Sequence, residues 1–361
     1  MRWYIYRPDA LYALEDPKVQ KTLKRYISIL KKETLPKFIL AKYFEVEFDP
    51  KKDKEDLLDL HDKYLKEFMK FVKEYDNEKF ELKKPKQSFL DLKIALAEKI
   101  IESCEFCEWK CKVNRKKGEK GFCRVGYYPK ISSMFIHLGE EPWITPSFTV
   151  FFAGCNFRCV YCQNWDISQN PENGEYIEEK ELAMEIENAY LEGARNVNFV
   201  GGEPTPNLHY ILKVLKYVEK PIPVVWNSNA YESEIGQKLL AGVVDVYLYD
   251  FKYGNNKCAL KYSKIPKYFE TVTRNFKFAI NYGEISFRVL ILPNHIECCA
   301  KPILKWIKEN LGDKVIVQLL NQYRPEYKAC EYPEICRTLT EEEYLEVIRY
   351  AEKLGLIFEV Q

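Results

Sequence analysis

Three cysteines follow closely behind the apolar run FTVFFAG, which has the composition of a buried strand. Cys155, Cys159 and Cys162 have the spacing C-x3-C-x2-C. Cysteine thiolates are the usual ligands of iron–sulfur clusters, which generally take four of them. Three ligands on one short loop leave one iron of a [4Fe–4S] cluster open, and an open iron can bind a second molecule. The spacing therefore predicts a cluster with room for a further ligand.

The alternative for this loop is a zinc site completed by a distant histidine or cysteine. None of the four histidines lies near the loop in sequence: His61, His137, His209 and His295. Spacing and context together therefore favour the iron–sulfur interpretation.

A second cysteine group has the spacing C-x2-C-x3-C-x11-C and comprises Cys104, Cys107, Cys111 and Cys123. Four thiolates complete a closed site, which is either structural zinc or a fully ligated iron–sulfur cluster. We favour an auxiliary iron–sulfur cluster narrowly over zinc. A zinc ribbon that binds nucleic acid is disfavoured by the acidic residues around the first thiols, Glu102, Glu105 and Glu108.

Five further cysteines are scattered, and we interpret them as small buried apolar side chains: Cys258, Cys298, Cys299, Cys330 and Cys336. The adjacent pair Cys298-Cys299 and the pair Cys330 and Cys336 leave a further metal or redox site as the alternative.

From residue 147 onward, short apolar runs alternate with amphipathic helical stretches. The predicted strands are SFTVFFAG, NVNFVGG, IPVVWNSN, VVDVYLYDF, ISFRVLIL and KVIVQLL. The predicted helices are EEKELAMEIENAYLEG, LHYILKVLKYVEK, ESEIGQKLLAG, YFETVTRNFKFAI, AKPILKWIKENL and TEEEYLEVIRYAEKLG. Repeated strand–helix units are typical of α/β proteins with parallel sheets. These units fit an incomplete barrel or an open wound sheet.

Polar, glycine or thiol groups follow each predicted strand, where the functional groups of β/α barrels gather. Beyond the three cysteines these are Gly201, Gly202, Glu203 and Pro204; Asn227, Ser228 and Asn229; Asp250 and Lys252; Arg288; and Asn321, Gln322 and Tyr323. A salt bridge between Asp250 and Lys252, or a pairing of Arg288 with a neighbouring carboxylate, would give these charges a structural role instead.

The cysteine loop and the GGEP segment at 201–204 resemble the two motifs of radical S-adenosylmethionine (SAM) enzymes. Residues from about 104 to 350 resemble pyruvate formate-lyase-activating enzymes and an activating-enzyme-like branch, through segments such as HLGEEP, WNSNAY and QYRPEYKACEYPEICR. The resemblance implies a partial (β/α)6 barrel. It also implies that Cys155, Cys159 and Cys162 hold a [4Fe–4S] cluster whose fourth iron is chelated by SAM.

The resemblance further implies which residues contact SAM. Tyr161 would pack near the adenine, and GGEP would meet the SAM amino group. Asp250 and Lys252 would face the ribose and methionine, Asn227 and Ser228 would lie beside the carboxylate, and Arg288 would help to fix it. Asn229 and Gln322 are further candidates for the cofactor site. True activating enzymes carry an aspartate in place of Asn227, at a monovalent-cation site, and a Tyr-His pair near Gln322 and Tyr323.

By this resemblance, one electron cleaves SAM to a 5′-deoxyadenosyl radical, which abstracts a hydrogen atom from a protein, such as a partner's glycine, or from a small molecule. The implied electron donor is ferredoxin or flavodoxin. We retain two alternatives: a non-catalytic iron–sulfur or zinc scaffold protein, and SAM-dependent radical methyl transfer.

The chain has 361 residues and a formal net charge of +1. This near-neutral charge disfavours nucleic acid as a partner. No apolar run approaches the ~20 residues of a membrane span, and the N-terminus does not read as a signal peptide. We therefore predict a cytoplasmic protein with reduced cysteines and no membrane partner. The predicted domains are a helical N-terminal domain at 1–100, a cysteine-rich knuckle at 101–130 and the barrel at 145–361.

Overall fold

The computed structural model describes residues 3–360, and its centre is one sheet of eight strands that follow each other in chain order. The first strand is antiparallel to the second, and all later neighbours are parallel. The first and last strands form the two edges, so over residues 3–360 the sheet is an open, partial barrel. The strands are β1 Ile131–His137, β2 Ser147–Phe152, β3 Asn196–Gly201, β4 Val224–Ser228, β5 Val246–Asp250, β6 Glu284–Leu290, β7 Ile316–Leu320 and β8 Phe358–Val360.

Helices connect the parallel strands and cover the outer face of the sheet. All five residues of β4 and all five of β7 are buried, as expected for strands covered on both faces. The helices of this part are α7 Trp165–Ser168, α8 Glu179–Leu191, α9 Leu208–Tyr217, α10 Glu234–Leu240, α11 Asn256–Ser263, α12 Tyr268–Ala279, α13 Lys301–Asn310 and α14 Glu341–Leu354. We number these helices after the six of the N-terminal region.

The N-terminal region is helical, with α1 Pro8–Tyr12, α2 Pro17–Thr22, α3 Lys24–Leu30, α4 Lys37–Tyr43, α5 Lys54–Asn77 and α6 Phe89–Ile100. Asp53 caps α5, and Ser88 with Asp91 forms a capping box at α6. Buried apolar side chains of α4, α5 and α6 belong to the same core cluster as those of the barrel. The N-terminal helices thus pack directly on the outside of the sheet.

The structure confirms the six predicted strands and the helix that follows each of them. It adds β1, whose polar Ser132 and Ser133 hide the apolar pattern, and β8, which is only three residues long. The partial barrel of the predicted type is confirmed. The division into three domains stays a prediction, and residues 1, 2 and 361 of the predicted ranges lie outside the described residues.

Two predictions about the scattered cysteines were wrong. Cys330 and Cys336 form a disulfide rather than lying as separate reduced thiols, because two short 3₁₀ turns bring their Cα atoms to 4.5 Å. Cys298 is exposed rather than buried. Within residues 3–360, no helix has the length and apolar character needed to cross a membrane.

Candidate metal centre

The three cysteines of the C-x3-C-x2-C motif lie on the segment 153–163, the cysteine loop, at the carboxyl end of β2. Gly154 turns the chain with a φ of +86°, and a Cβ there would lie 2.4 Å from Val125. Cys155 and Cys159 are buried and Cys162 is partly buried. All three line one cavity of about 240 Å³, the loop cavity. The structure therefore brings the three predicted ligands to a single site.

Each sulfur of the cysteine loop has a polar hydrogen close to it. Burial raises the pKa of the Cys159 thiol to about 11, so a thiolate here requires nearby positive charge, such as that of a metal. Hydrogen bonds to cluster sulfurs are a usual part of iron–sulfur sites. The contacts are Phe157 N to Cys155 Sγ at 3.3 Å, Ser263 Oγ to Cys159 Sγ at 3.0 Å and Ser168 Oγ to Cys162 Sγ at 3.2 Å.

Gly201 and Gly202, at the end of β3, pack against the cysteine loop and the strand before it. Gly201 has a φ of +122°, and a Cβ there would lie 2.2 Å from the backbone of Phe152. A Cβ on Gly202 would lie 2.2 Å from the carbonyl oxygen of Gly154. The close approach of these two backbones therefore requires glycine, whatever else the segment contacts.

Glu203 joins the ends of β3 and β4. Its Oε1 accepts hydrogen bonds from Thr205 Oγ1 at 2.6 Å and Ser228 Oγ at 2.7 Å, and its Oε2 accepts one from Asn229 N at 3.0 Å. Burial and the neighbouring Glu232 raise the pKa of the Glu203 carboxyl. The hydroxyl of Ser228 is thus committed to the carboxylate of Glu203.

Asp250 and Lys252 form a salt bridge of 2.6 Å at the end of β5, and both line the loop cavity. Their side chains are 29% and 20% exposed, so the pair reaches the cavity without being open to bulk solvent. Lys252 N also donates to Tyr268 Oη at 2.8 Å. The pair places one carboxylate and one ammonium group on the wall of the cavity that the cysteines also line.

Arg288, on β6, is held by two acidic residues from the segment that joins β1 to β2. Its guanidinium pairs with Glu140 and with Glu141, the latter at 2.7 Å between Nη2 and Oε2. Arg288 Nη1 donates to Asn227 Oδ1 at 3.2 Å. Asn227 Nδ2 is buried and has no hydrogen-bond partner among the described residues. Asn227 therefore presents an unused donor where it lines the cavity.

Tyr161, also on the cysteine loop, is buried beside Tyr253 and Tyr323. Its hydroxyl lies 2.7 Å from Tyr253 Oη, which in turn lies 2.6 Å from Ser263 Oγ. Because Ser263 also bonds Cys159, a chain of hydrogen bonds runs from Tyr161 to the sulfur.

Of the groups predicted at the strand ends, all except Pro204, Asn321 and Tyr323 line the loop cavity, which Gln322 reaches from the segment after β7. The loop cavity adjoins a larger one of about 700 Å³. The two share Asn164, Val200, Asn227, Arg288, Leu320 and Gln322. Charged and polar residues of the larger cavity include Arg7, Asp9, His137, Glu140 and Glu141. A polar chamber therefore lies next to the cysteines and their neighbours.

The other predicted ligand set lies in the knuckle, residues 101–130. Cys104, Cys107, Cys111 and Cys123 line one small void of about 10 Å³. Backbone hydrogen bonds from Cys104 N to Val113 O and from Lys112 N to Cys104 O, both 2.9 Å, close the turn around them. The buried Arg115 guanidinium lies 3.9 Å from Cys104 Sγ, which places positive charge beside the thiols.

The knuckle packs against the cysteine loop and the start of α10. Trp109 Nε1 donates to the carbonyl oxygen of Asn156 at 2.8 Å, next to Cys155 in the chain. Glu108 N donates to Tyr231 O at 3.0 Å. The two cysteine groups are therefore adjacent, and the knuckle supports one side of the loop.

Sequence reasoning missed four residues that complete the site. Ser263 and Tyr253 have no motif around them that marks a sulfur contact. Glu140 and Glu141 lie in HLGEEP, which the resemblance had singled out without giving these carboxylates a role.

Known proteins resemble this chain in sequence. Residues 149–307 match the model of the radical SAM superfamily. An uncharacterised protein of Methanocaldococcus jannaschii, MJ0674, is 46% identical over 92% of this chain and 98% of its own length. A putative glycyl-radical enzyme activating enzyme of the same organism, MJ1227, is 27% identical over 29% of this chain and 43% of its own length.

Among solved structures, Streptococcus suis SuiB bound to S-adenosylmethionine aligns with a TM-score of 0.46 and 14% identity, over 57% of this chain. The chain spans 48% of SuiB.

The chain belongs to the radical SAM superfamily and is a radical SAM enzyme. Membership implies a [4Fe–4S] cluster and SAM as cofactors. The residues present fit this pair, since three sulfurs with hydrogen-bond donors face a cavity that also holds the unpaired Nδ2 of Asn227. Radical SAM enzymes use electron donors, and some act on peptides.

Proposed function

We propose that this protein is an activating-enzyme-like radical SAM oxidoreductase, which abstracts a hydrogen atom from a partner protein, such as a glycine residue, or from a small molecule. The observation that carries the proposal is the loop cavity, where Cys155, Cys159 and Cys162 face Asp250 and Lys252 across one space. The 27% identity to a putative glycyl-radical enzyme activating enzyme supports the activating-enzyme-like type.

When bound, the cluster and SAM supply one-electron cleavage of the sulfonium C–S bond, which provides a 5′-deoxyadenosyl radical. In this proposal Cys155, Cys159 and Cys162 are the cluster ligands. Asn227 Nδ2 donates to the SAM carboxylate, and Asp250 accepts from a ribose hydroxyl. Lys252 holds Asp250 in place through their 2.6 Å contact.

Other predicted residues act on the shape of the site. Glu203 ties the ends of β3 and β4 together, which fixes the loops that carry Gly202 and Asn229. Glu140 and Glu141 pair with the positive charge of Arg288. Arg288 in turn orients Asn227 through a hydrogen bond of 3.2 Å, so Arg288 is a positioning residue in this proposal. Tyr161 and Gln322 bound the space for the adenosyl group.

The larger cavity is the proposed entrance for the substrate. Its wall carries both signs of charge, from Arg7, Asp9, Glu140, Glu141 and Arg288. Such a wall suits the backbone and polar side chains of a polypeptide segment, or a small polar molecule, better than an apolar ligand. A low-potential donor, ferredoxin or flavodoxin, supplies the electron in this proposal. The knuckle holds a second [4Fe–4S] cluster or zinc, and the protein acts in the cytoplasm.

The test is anaerobic reconstitution with iron and sulfide, followed by SAM and dithionite, with 5′-deoxyadenosine measured by mass spectrometry. We expect 5′-deoxyadenosine from the native protein and none above background from Cys159→Ala. Native protein with a full cluster that leaves SAM intact would overturn the proposal and favour the scaffold alternative. S-adenosylhomocysteine as the product would indicate methyl transfer.

A further inference from the structure

A third group of metal-ligating side chains lies outside both cysteine sets described above. One donor atom each from Cys258, His295 and Cys298 lie within 4.8 Å of one another. Cys299 Sγ lies 3.9 Å from Cys298 Sγ. Two thiols and one imidazole thus converge from two elements, the start of α11 and the turn before α13, and the thiol of Cys299 lies beside Cys298.

The spacing of these atoms matches a single ion. Four ligands at ~2.3 Å from a tetrahedral zinc ion are about 3.8 Å apart. The 3.9 Å between Cys298 Sγ and Cys299 Sγ agrees with that edge. The donor atoms of Cys258, His295 and Cys298 all lie within 4.8 Å of one another, so these three need only small shifts. A cubane cluster would hold its ligands much farther apart. Thiolates with one imidazole form a set that zinc prefers.

The hydrogen bonds of the His295 imidazole leave one ring nitrogen with a lone pair that can bind a metal. Its Nδ1 lies 2.8 Å from the carbonyl oxygen of Pro293, an acceptor, so Nδ1 carries the proton and Nε2 the lone pair. Tyr262 Oη lies 3.0 Å from Nε2, but Glu334 Oε1 at 2.5 Å takes the single hydroxyl proton. Nε2 therefore has no committed donor.

The turn that carries the two vicinal cysteines is itself unusual. Ile296–Ala300 is one turn of π-helix directly before α13. Such single turns are frequent at functional sites, because the extra residue re-aims side chains. Asn255, the N-cap of α11, contacts three groups of the set: its Nδ2 lies 3.4 Å from Cys258 Sγ, 3.7 Å from Cys299 Sγ and 2.7 Å from Cys298 O.

We infer that Cys258, His295, Cys298 and Cys299 form a zinc site that joins α11 to the start of α13. The site goes beyond the proposed function, since none of its residues lines the loop cavity. It is nevertheless connected to the cluster ligands through α11. At the far end of this helix, Tyr262 O accepts from Val160 N at 2.8 Å and Ser263 O accepts from Arg158 N at 3.0 Å.

Through this connection, the zinc ion stabilises the position of the cysteine loop. Zinc at the N-terminal end of α11 fixes the helix whose C-terminal end holds the cysteine loop and bonds Cys159. Because Cys298 is exposed, a chelator can reach this ion. The four knuckle cysteines line a void of about 10 Å³ and none of them is fully exposed, so any zinc there exchanges more slowly.

The test measures zinc per chain, by mass spectrometry, in the anaerobically purified full-length protein after iron–sulfur reconstitution and removal of loose metal. The variants are Cys258→Ser and Cys298→Ser, and the control is the double variant Cys330→Ser/Cys336→Ser, which also removes two sulfurs. We expect each single variant to hold one zinc equivalent less than the native protein and the control. The knuckle is unchanged in all four proteins, so its metal cancels.

A second readout covers a variant that fails to fold. Native protein treated briefly with a chelator is titrated with Co²⁺, and thiolate-to-cobalt charge-transfer absorption is expected at one equivalent. Equal zinc in all four proteins, or no cobalt–thiolate absorption in the native protein, would overturn the site. A disulfide among Cys258, Cys298 and Cys299 in the anaerobic protein would overturn it as well. None of these outcomes depends on SAM cleavage, so failure of the proposed function would leave the zinc result standing.

Discussion

The cysteine loop and the knuckle use the same side chain for two different kinds of site. Three cysteines of the loop face a cavity of about 240 Å³ that adjoins a larger chamber, whereas the four of the knuckle enclose about 10 Å³. The loop set therefore leaves space for a second molecule beside the metal, and the knuckle set leaves none. The number of thiols and the room around them together separate a reactive site from a closed one.

The residues around the two cysteine sets also fit a reactive site in the loop and a closed site in the knuckle. The loop cavity is lined by ionisable groups from the ends of several strands, such as Glu203, Asp250 and Arg288. The knuckle is held by its own backbone hydrogen bonds and by the buried Arg115. A substitution in the loop should therefore act mainly on chemistry, and one in the knuckle mainly on stability.

The largest expected effect comes from the loop. Cys159→Ala should lower 5′-deoxyadenosine formation by at least ~10³-fold, because a ligand of the reactive centre is removed. Cys107→Ala, measured per folded molecule, should keep activity within about 10-fold of the native protein. Equal losses of 5′-deoxyadenosine formation in the two variants would contradict this difference between the loop and the knuckle. They would show that the knuckle takes part in the reaction.

The knuckle should show the larger effect on stability. Cys107→Ala should lower the Tm by about 10 °C, since loss of a closed metal site costs several kcal/mol. Cys162→Ala, on the partly exposed end of the loop, should lower it less. Calorimetry under anoxic conditions measures both, and the reverse order would contradict the assignment.

Asp250 tests the cofactor-facing side of the loop cavity. Asp250→Asn should raise the KM for SAM about 10- to 100-fold, because one charge-assisted hydrogen bond is lost. The matched control is Glu108→Gln, which breaks the 3.0 Å contact of Glu108 with Arg274 beside the knuckle and should leave the KM unchanged. If the KM for SAM is unaltered in Asp250→Asn, then the salt bridge with Lys252 is purely structural.

The smallest expected effect concerns pH and the N-terminal helices. His61 is fully buried with its Nε2 2.8 Å from Lys93 Nζ, and burial followed by the Lys93 charge lowers the pKa of His61 from 6.5 to about 3. A lowered folded-state pKa gives stability above pH 6.5 that is lost as the pH falls towards 3. The contribution of His61 to the free energy of unfolding should drop by about 2 kcal/mol from pH 7 to pH 5.

His61→Gln should remove this contribution and so reduce the pH dependence of the free energy of unfolding, as measured by denaturant unfolding. The rate of SAM cleavage per folded molecule should keep its pH dependence, since His61 is not among the residues that line the loop cavity. A changed pH dependence of SAM cleavage in His61→Gln would show that the N-terminal helices influence the reactive site.

Sequence patterns predicted the elements far better than the contacts between them. The strands after residue 147 are confirmed because each is a buried apolar run followed by an amphipathic helix. The ligand set of the loop was predictable because its spacing is local. The bonds of Ser263 to Cys159 and of Glu141 to Arg288 join residues more than a hundred positions apart. No local pattern announces such pairs.

The remaining cysteines make the same point. Cys258 and Cys298 come from separate strand–helix units, and only the fold brings them near His295. Cys330 and Cys336 are close in sequence, yet their pairing depends on two short turns that no periodicity marks.

The most direct test of the central claim is a Mössbauer spectrum of ⁵⁷Fe-reconstituted protein, with and without SAM. The account predicts that SAM changes the signal of one iron per chain, and that this response disappears in Cys159→Ala but persists in Cys107→Ala. Spectra that SAM leaves unchanged, in native protein carrying a complete loop cluster, would contradict it.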